Sequence, residues 1–282
     1  MCFLVHGIDV LFYEILNTIY FPIDPMLLPD HLILQFKRYT KQRTLFKKEM
    51  PYPIHPAEIL SQKALRPHPD LQEIIDNIKR EMEQKALIAS KGSNKNTNNA
   101  GERMPYMTIH ARIEPDMQKH NACPSLKVLE LADIVSSIET QLNSTNNIQQ
   151  LPSYIFLPMN REILEEERKN DPNNTIAMKN LEELDRILTH GILNGTIPVY
   201  HGYSNVLKGT RYAKRPSTTQ ALISYHIALD SDIFVGTPVS SYSHALTTSR
   251  FHRDQRENYM YSPHGIDLWT KPNDELPPEF DC

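Results

Sequence analysis

Apolar and polar positions along the chain follow two periods, one typical of helices and one typical of buried strands. Segment 69–89 has apolar residues near helical spacing and Asp70 in its first turn, which predicts a helix with one side toward a core. Short apolar runs predict strands at 106–109, 154–157, 197–200 and 233–235. Helical patterns between these runs predict helices from Ser125 through Val135, from Asn160, over 180–190 and over 218–229.

Strands that alternate with helices indicate a mostly parallel sheet covered on both faces, so the fold class is α/β. An Asn- and Gly-rich stretch at 91–102 has no periodicity and is typical of a loop or linker. We therefore predict two parts: a partial, largely helical N-terminal part with its linker at 1–103, and a sheet domain at 104–282.

Composition and charge exclude several classes of partner and site. The formal net charge is −4 and no basic stripe is visible, so we expect no nucleic-acid partner. The 9 glycines form neither GxGxxG nor a P-loop motif. The apolar start of the chain is interrupted by charged residues, so we expect no membrane span in this chain. The 3 cysteines, Cys2, Cys123 and Cys282, are too scattered for a disulfide framework or a zinc site.

The stretch 106–123, YMTIHARIEPDMQKHNAC, is the densest in chemistry. His110 and Arg112 follow the first predicted strand and share one side of it, because side chains two positions apart point the same way. The strand then ends at Glu114 and Pro115. Ligands of open α/β sheets bind at the carboxyl ends of strands, which makes this segment a candidate site. Two plainer interpretations remain open: an arginine–carboxylate pair that only holds a loop, and a weak metal cluster of His110, His120 and Cys123.

The stretch 231–250, SDIFVGTPVSSYSHALTTSR, is the second candidate. A strand, a Gly/Pro turn and clustered hydroxyls at a helix start are typical of an anion site, because backbone N–H groups and the helix dipole favour negative charge there. Ser and Thr at this position are also ordinary helix caps. The residues that would contact a phosphate are Ser240, Ser241, Tyr242 and Ser243.

Asp230, Ser231 and Asp232 spell the DxD of manganese-dependent glycosyltransferases. The triplet precedes its strand instead of following it, so we interpret Asp230 as the end of a helix. Asp232 is interpreted as a single carboxylate near a pocket, able to accept from the adjacent N–H donors of a guanine edge.

These residues resemble the protein O-fucosyltransferase superfamily, especially its plant-type O-fucosyltransferase-like branch. The resemblance covers roughly residues 60 to 260 and includes the lead-in ALRPHPDLQEIIDNI at 64–78 and the DIFVG strand with its Ser-rich turn. Its first block is the pattern His-x-Arg-x-Glu-x-Asp-Met followed by a cysteine, here formed by His110, Arg112, Glu114, Asp116, Met117 and Cys123.

The resemblance implies an inverting, metal-independent GT-B enzyme that needs no cofactor and whose C-terminal Rossmann-like domain binds GDP-fucose. Arg112 would hold the β-phosphate and neutralise the departing GDP. His110 would line the donor site, Asp232 would contact the base, and the 240–243 turn would hold the pyrophosphate. Asp116 would orient Arg112 or the loop, and Glu114 is a candidate base. A protein or glycan hydroxyl would be the acceptor.

The N-terminal part departs from the family pattern. No Gly-rich, Asn-containing turn precedes His31, and no signal anchor is visible, so we expect a truncated or rebuilt N-terminal part. Two alternatives follow: the same fold with another nucleotide deoxysugar, such as in a rhamnosyltransferase, or a non-catalytic sugar- or protein-binding remnant. The family and the sequons at Asn143, Asn173 and Asn194 imply the lumen of the secretory pathway, Golgi or ER.

Overall fold

The computed structural model of the chain describes residues 67–91, 103–113, 129–144, 151–201, 207, 210, 212, 216–237, 240–251, 253 and 257–269. Nearly all of them belong to the second of the two units into which the chain divides, Glu73–Cys282. The predicted boundary between 1–103 and 104–282 stays a prediction, as does the character of the N-terminal part, because residues 1–66 lie outside the described residues.

Helices and strands of the described chain alternate along the sequence. In order they are α1 (Pro69–Lys91), β1 (Tyr106–Ile109), α2 (Leu131–Asn143), β2 (Tyr154–Leu157), α3 (Arg161–Asn170), α4 (Thr175–His190), β3 (Val199–His201), α5 (Pro216–Leu229), β4 (Ile233–Gly236), α6 (Ser241–Phe251), β5 (Asn258–Ser262) and β6 (Gly265–Leu268). None of the described helices is long and apolar enough to span a bilayer.

The strands form one six-stranded sheet in the order β3-β2-β1-β4-β5-β6. Strands β1 to β5 are parallel, and β6 pairs antiparallel with β5. The predicted α/β class with a mostly parallel sheet is confirmed, and the order is that of a Rossmann-like domain, consistent with a GT-B arrangement. The strand order reverses between β1 and β4, and ligands of such sheets bind beyond the carboxyl ends of the strands at that point.

Both faces of the sheet are covered, which explains why its central strands are fully buried and, apart from Thr108 in β1, lack polar side chains. The larger core cluster joins one face of the strands to α2, α3 and α4 and includes Ile109, Leu131, Leu164 and Leu184. A smaller cluster on β4, α5 and α6 contains Ala228, Leu229, Phe234 and Leu246. The helix α1 is attached through an ion pair between Lys79 and Asp230, the residue after α5.

Several element boundaries differ from the predicted ones for local reasons. Helix α4 begins at Thr175, not at Asn180, because the Asn174 side chain accepts the N–H of Ala177 at 3.1 Å and caps an earlier start. Asn180 is buried and accepts the N–H of Leu131 at 2.8 Å, so it serves the start of α2 instead. The predicted cap at Ser125 lies outside the described residues, and α2 itself begins at Leu131.

Other predicted boundaries hold. Asn160 caps α3 by accepting the N–H of Glu162 at 3.0 Å. Helix α4 ends before Gly191, whose φ of 72° lies in the left-handed region. Strand β3 begins at Val199, two residues later than predicted, because Ile197 forms a bridge with Ile192 across a tight turn.

Strands β5 and β6 are not among the predicted strands. All five residues of β5 are buried, but its sequence NYMYS carries the polar Asn258 and Ser262 beside the two tyrosines, so it is not the short apolar run that marks the central strands. Strand β6 is short and partly exposed, and it closes this edge of the sheet by pairing antiparallel.

Candidate functional site

The segment after β1 continues the strand pattern beyond Ile109. Ala111 and Ile113 are buried, whereas His110 and Arg112 are partly exposed. The N–H of His110 donates to the carbonyl of Val235 at 2.8 Å, which carries the β1–β4 pairing into this segment. The alternating burial matches the prediction that His110 and Arg112 share one side of the strand.

The turn from β4 into α6 is held tightly against the sheet. Ser240 caps α6 through a 3.4 Å bond from the Ser243 N–H to its hydroxyl. The Ser243 hydroxyl in turn accepts the N–H of Thr237 at 3.2 Å. A Cβ on Gly236 would lie 2.7 Å from the Ser243 hydroxyl and 2.8 Å from the Phe234 ring, so only glycine permits this close approach of helix and strand.

The two predicted halves of the site meet at the carboxyl ends of β1 and β4. Nδ1 of His110 lies 2.8 Å from the hydroxyl oxygen of Ser243. The His110 ring also lies against Tyr242, with ring centroids 4.5 Å apart at a tilt of 46°. Burial lowers the pKa of His110 to about 3, and the positive charge of Arg112 contributes to the shift. The imidazole is therefore neutral at physiological pH.

The hydroxyls of Ser240 and Ser243 hold the turn together. Both residues are buried, and their hydroxyls are engaged in the cap, with Thr237 and with His110. The expected contact of these two serines with a pyrophosphate stays a prediction. The prediction for the Ser241 side chain lies outside the described residues. Tyr242 is partly exposed beside His110.

The structure does not bring Asp232 to this site. Asp232 precedes β4 and so lies at the amino edge of the sheet, opposite the edge that carries His110 and Ser243. Its carboxylate accepts the N–H of Tyr106, the first residue of β1, at 2.8 Å, and it forms an ion pair with Arg103. The interpretation of Asp232 as a base-contacting residue of the same pocket is therefore corrected, because the sheet separates the two edges.

Asp230 lies at the same amino edge, directly after α5, as predicted for a helix end. Its carboxylate forms ion pairs with Lys79 and, at 3.4 Å, with Arg253. The carboxylates of the Asp230-Ser231-Asp232 triplet are thus engaged in salt bridges and in a bond from the Tyr106 N–H.

Several residues of the predicted site lie in the segment after Ile113, outside the described residues. They are Glu114, Asp116, Met117, His120 and Cys123. Within the part of the chain that the structure describes, no group of three or more His, Cys, Asp or Glu side chains is placed to hold a metal ion.

Two residues outside the predicted set hold the structure together, Tyr261 at the site and Arg250 at the opposite edge of the sheet. On β5, the hydroxyl of Tyr261 accepts the N–H of Arg112 at 2.8 Å and donates to the carbonyl of His110 at 3.3 Å. On α6, Arg250 is fully buried, and burial lowers its pKa to about 10. The alternating tyrosines at 259 and 261 are the feature of the sequence that could have pointed to Tyr261. Nothing in the sequence indicates that Arg250 is buried.

Arg250 joins three elements at the amino edge. Its guanidinium donates to the carbonyl oxygens of Ala228 at 2.9 Å and Asp232 at 3.0 Å, and to Asn258 Oδ1 at 2.6 Å. The end of α5, the lead into β4 and the start of β5 thus share one cation, which also faces the negative end of the α5 dipole. This arrangement fixes the register of α6 against the sheet.

Comparison with known proteins gives one informative similarity. The chain is 28% identical over 162 residues to O-fucosyltransferase 23 of Arabidopsis thaliana, a match that covers 56% of this chain and 32% of the relative. The matched segment thus spans about a third of the length of that curated relative. No protein-family profile matches the chain.

Proposed function

We propose that this chain forms the donor-binding part of a fucosyltransferase-like glycosyltransferase that moves fucose from GDP-fucose to a protein or glycan hydroxyl. The observation that carries the proposal is the meeting of the His110–Arg112 segment with the start of α6 at the reversal point of the strand order. The similarity to an O-fucosyltransferase supports it independently of the geometry.

Arg112 is the proposed contact for the pyrophosphate. Its planar guanidinium can bind two phosphate oxygens at once. The positive end of the α6 dipole lies at the same edge of the sheet and adds to the attraction for an anion. The negative charge that develops on the departing GDP is then stabilised by positive groups that are already in place. Such fixed groups stabilise the transition state and so accelerate the reaction.

His110 is proposed as a neutral hydrogen-bond donor, not as an acid or base. The Ser243 oxygen accepts from Thr237 N–H, and its own hydrogen can satisfy Nδ1 of His110. The ring proton then resides on Nε2. A neutral Nε2–H can donate to a sugar or phosphate oxygen of the donor, and a pKa of about 3 prevents it from taking up a proton there.

In the proposed reaction the acceptor hydroxyl oxygen attacks C1 of fucose on the side opposite GDP. The bond between C1 and the β-phosphate oxygen breaks, and its electron pair leaves with GDP. The hydroxyl proton passes to a carboxylate base, for which Glu114 remains the candidate, and Asp116 is proposed to orient Arg112. Configuration at C1 inverts. We propose that the leaving charge is met by Arg112 and not by a metal ion.

The proposal includes a location. A GDP-fucose enzyme that acts on protein or glycan hydroxyls would work in the Golgi or ER lumen, and the sequons at Asn143, Asn173 and Asn194 suit that compartment. Each of these asparagines is exposed in the structure, as an acceptor of N-glycosylation must be.

Thermal shift measurements with nucleotide sugars test the proposal. GDP-fucose should raise the melting temperature of the full chain, whereas GDP-mannose and UDP sugars should have smaller effects. Arg112→Ala should abolish the shift and Arg112→Lys should retain part of it, while Arg168→Ala, a change on α3 away from the site, should leave it intact. A GDP-fucose shift that survives Arg112→Ala would contradict the proposal.

The same panel separates the two alternatives. A larger shift with a rhamnose donor would favour another deoxyhexosyl transferase on the same fold. Nucleotide binding with neither transfer nor donor hydrolysis, or no nucleotide binding at all, would indicate a non-catalytic binding remnant.

A further inference from the structure

Beyond the end of β1, a side chain from β5 pairs with the backbone of residues 110–112. His110 N–H still pairs with Val235 on β4. After Gly236 the chain of β4 turns toward α6, and Thr237 N–H is taken by the Ser243 hydroxyl. The next backbone groups of the β1 side, His110 C=O and Arg112 N–H, are met instead by the side chain of Tyr261.

The Tyr261 hydroxyl bridges these two groups from the other face of the sheet. It accepts from Arg112 N–H at 2.8 Å and donates to His110 C=O at 3.3 Å. Tyr261 is 5% exposed and belongs to the core cluster beneath the sheet, together with Ala111 and Ile113. A rigid, buried ring therefore holds a three-residue stretch of backbone extended after the strand has ended.

This bridge decides where the Arg112 side chain lies. An extended backbone at 110–112 puts the side chains of His110 and Arg112 on the same side, and the burial pattern of residues 109 to 113 shows that alternation. His110 on that side contacts Ser243 and Tyr242 of α6. If the backbone bent after His110, Arg112 would leave the edge that carries the start of α6.

We propose that Tyr261 is a positioning residue for Arg112, holding its guanidinium at the β1–β4 reversal point without contacting the ligand. This inference rests on the proposed function for its effect on GDP binding, and on the structure alone for its effect on the Arg112 backbone. Fixing a binding group in advance lowers the cost of ordering it when a ligand arrives.

The first test is a double-mutant cycle on the affinity of the full chain for GDP. Tyr261→Phe removes one hydroxyl and should weaken GDP binding by about three- to tenfold, the effect of one lost hydrogen bond. The affinity of the Arg112→Ala variants is measured at higher GDP concentrations, where weak residual binding is still detected. In that background the same change should alter the residual affinity by less than about twofold, because the group it positions is gone. The matched control is Tyr259→Phe, a change two residues earlier on the same face of β5, which should have little effect on affinity.

The second test needs no ligand. Amide hydrogen exchange at Arg112, followed by NMR, should be at least about tenfold faster in Tyr261→Phe than in wild type, and unchanged in Tyr259→Phe. Equal weakening of GDP binding in both Arg112 backgrounds, or unchanged exchange at Arg112, would overturn the inference. Absence of GDP binding by the wild type would contradict the proposed function, and the exchange measurement would then decide the role of Tyr261 by itself.

Discussion

Nδ1 of His110 lies 2.8 Å from the hydroxyl oxygen of Ser243, and that oxygen also accepts the N–H of Thr237. One buried hydroxyl therefore joins the end of β1, the turn after β4 and the first turn of α6. The contact sets the distance between the Arg112 segment and the start of α6.

Replacing Ser243 by alanine should lower the free energy of unfolding by about 1 to 3 kcal/mol, because it leaves two buried polar groups without this partner. Urea unfolding measures the change. Ser136→Ala, at an exposed helix position on α2, is the control and should stay within about 0.5 kcal/mol of wild type. Equal stabilities of the Ser243 and Ser136 variants would show that the bridge contributes nothing.

The stability of the fold should decrease as the pH falls from about 6.5 toward 3. The folded-state pKa of His110 is about 3, below its ordinary value of 6.5, so the unfolded chain binds the proton more readily in this window. His226, with a pKa of about 4 caused by burial, acts in the same direction. The free energy of unfolding in urea, measured at pH 7, 6 and 5, should vary less with pH in His110→Gln than in wild type. An equal variation with pH in both proteins would contradict this.

NMR can test the tautomer proposed for His110. Ring nitrogen shifts should show Nε2 protonated and Nδ1 unprotonated at pH 7, with no change on lowering the pH to 5, because the pKa is about 3. In Ser243→Ala the nitrogen pattern should shift toward mixed tautomers, since Nδ1 loses its hydroxyl partner. A wild-type ring protonated at Nδ1 would exclude His110 as an Nε2–H donor.

Gly236→Ala should cost about 1 to 3 kcal/mol, because the added Cβ would lie 2.7 Å from the Ser243 hydroxyl and 2.8 Å from the Phe234 ring. The start of α6 must then move away from the sheet, which should also weaken the contact between His110 and Ser243. Removing the hydroxyl in a Gly236→Ala/Ser243→Ala double variant should recover part of the loss relative to the sum of the single changes. Strict additivity would indicate that the two positions do not compete for space.

Arg250→Met should destabilise the fold by about 3 to 5 kcal/mol, since it leaves several buried carbonyl oxygens without their donor. Arg250→Lys should recover only part of this, because an ammonium cannot span the end of α5, the lead into β4 and Asn258 together. The control is Arg253→Met, which removes a solvent-accessible ion pair with Asp230 and should cost less than about 1 kcal/mol. Thermal and urea unfolding both report these differences.

The sheet domain could be predicted from sequence because its central strands are short apolar runs between helical patterns. Strands β1, β2 and β4 are central and fully buried, so hydrophobicity alone marks them. Helix α4 began earlier than predicted because Asn174, and not Asn180, supplies the cap, and both are good capping residues in sequence. Strands β5 and β6 were missed because neither is an uninterrupted apolar run: Asn258 and Ser262 form the ends of β5, and the four residues of β6 include Gly265 and Asp267.

The candidate site was predicted in part. His110 and the start of α6 could be assigned to one edge because parallel strands place their carboxyl ends together. Asp232 was expected to contact the base of the same donor, but it precedes β4, and the direction of the strand puts it at the other edge. The roles of Tyr261 and Arg250 depend on contacts between strands and helices that are distant in sequence, and local patterns carry no information about such contacts.

The reversal of strand order has a consequence for folding. His110 and Ser243 are 133 positions apart, and β4 cannot pair with β1 until the chain between them has returned to the sheet. Closing so long a loop is slow, and its entropy cost arises before the contacts between β1 and β4 can compensate for it. The first half of the sheet, β1 to β3, can therefore assemble without any binding site. A ligand held across this junction would select for the completed fold, so its binding would protect the whole domain against unfolding and not only the segments it touches.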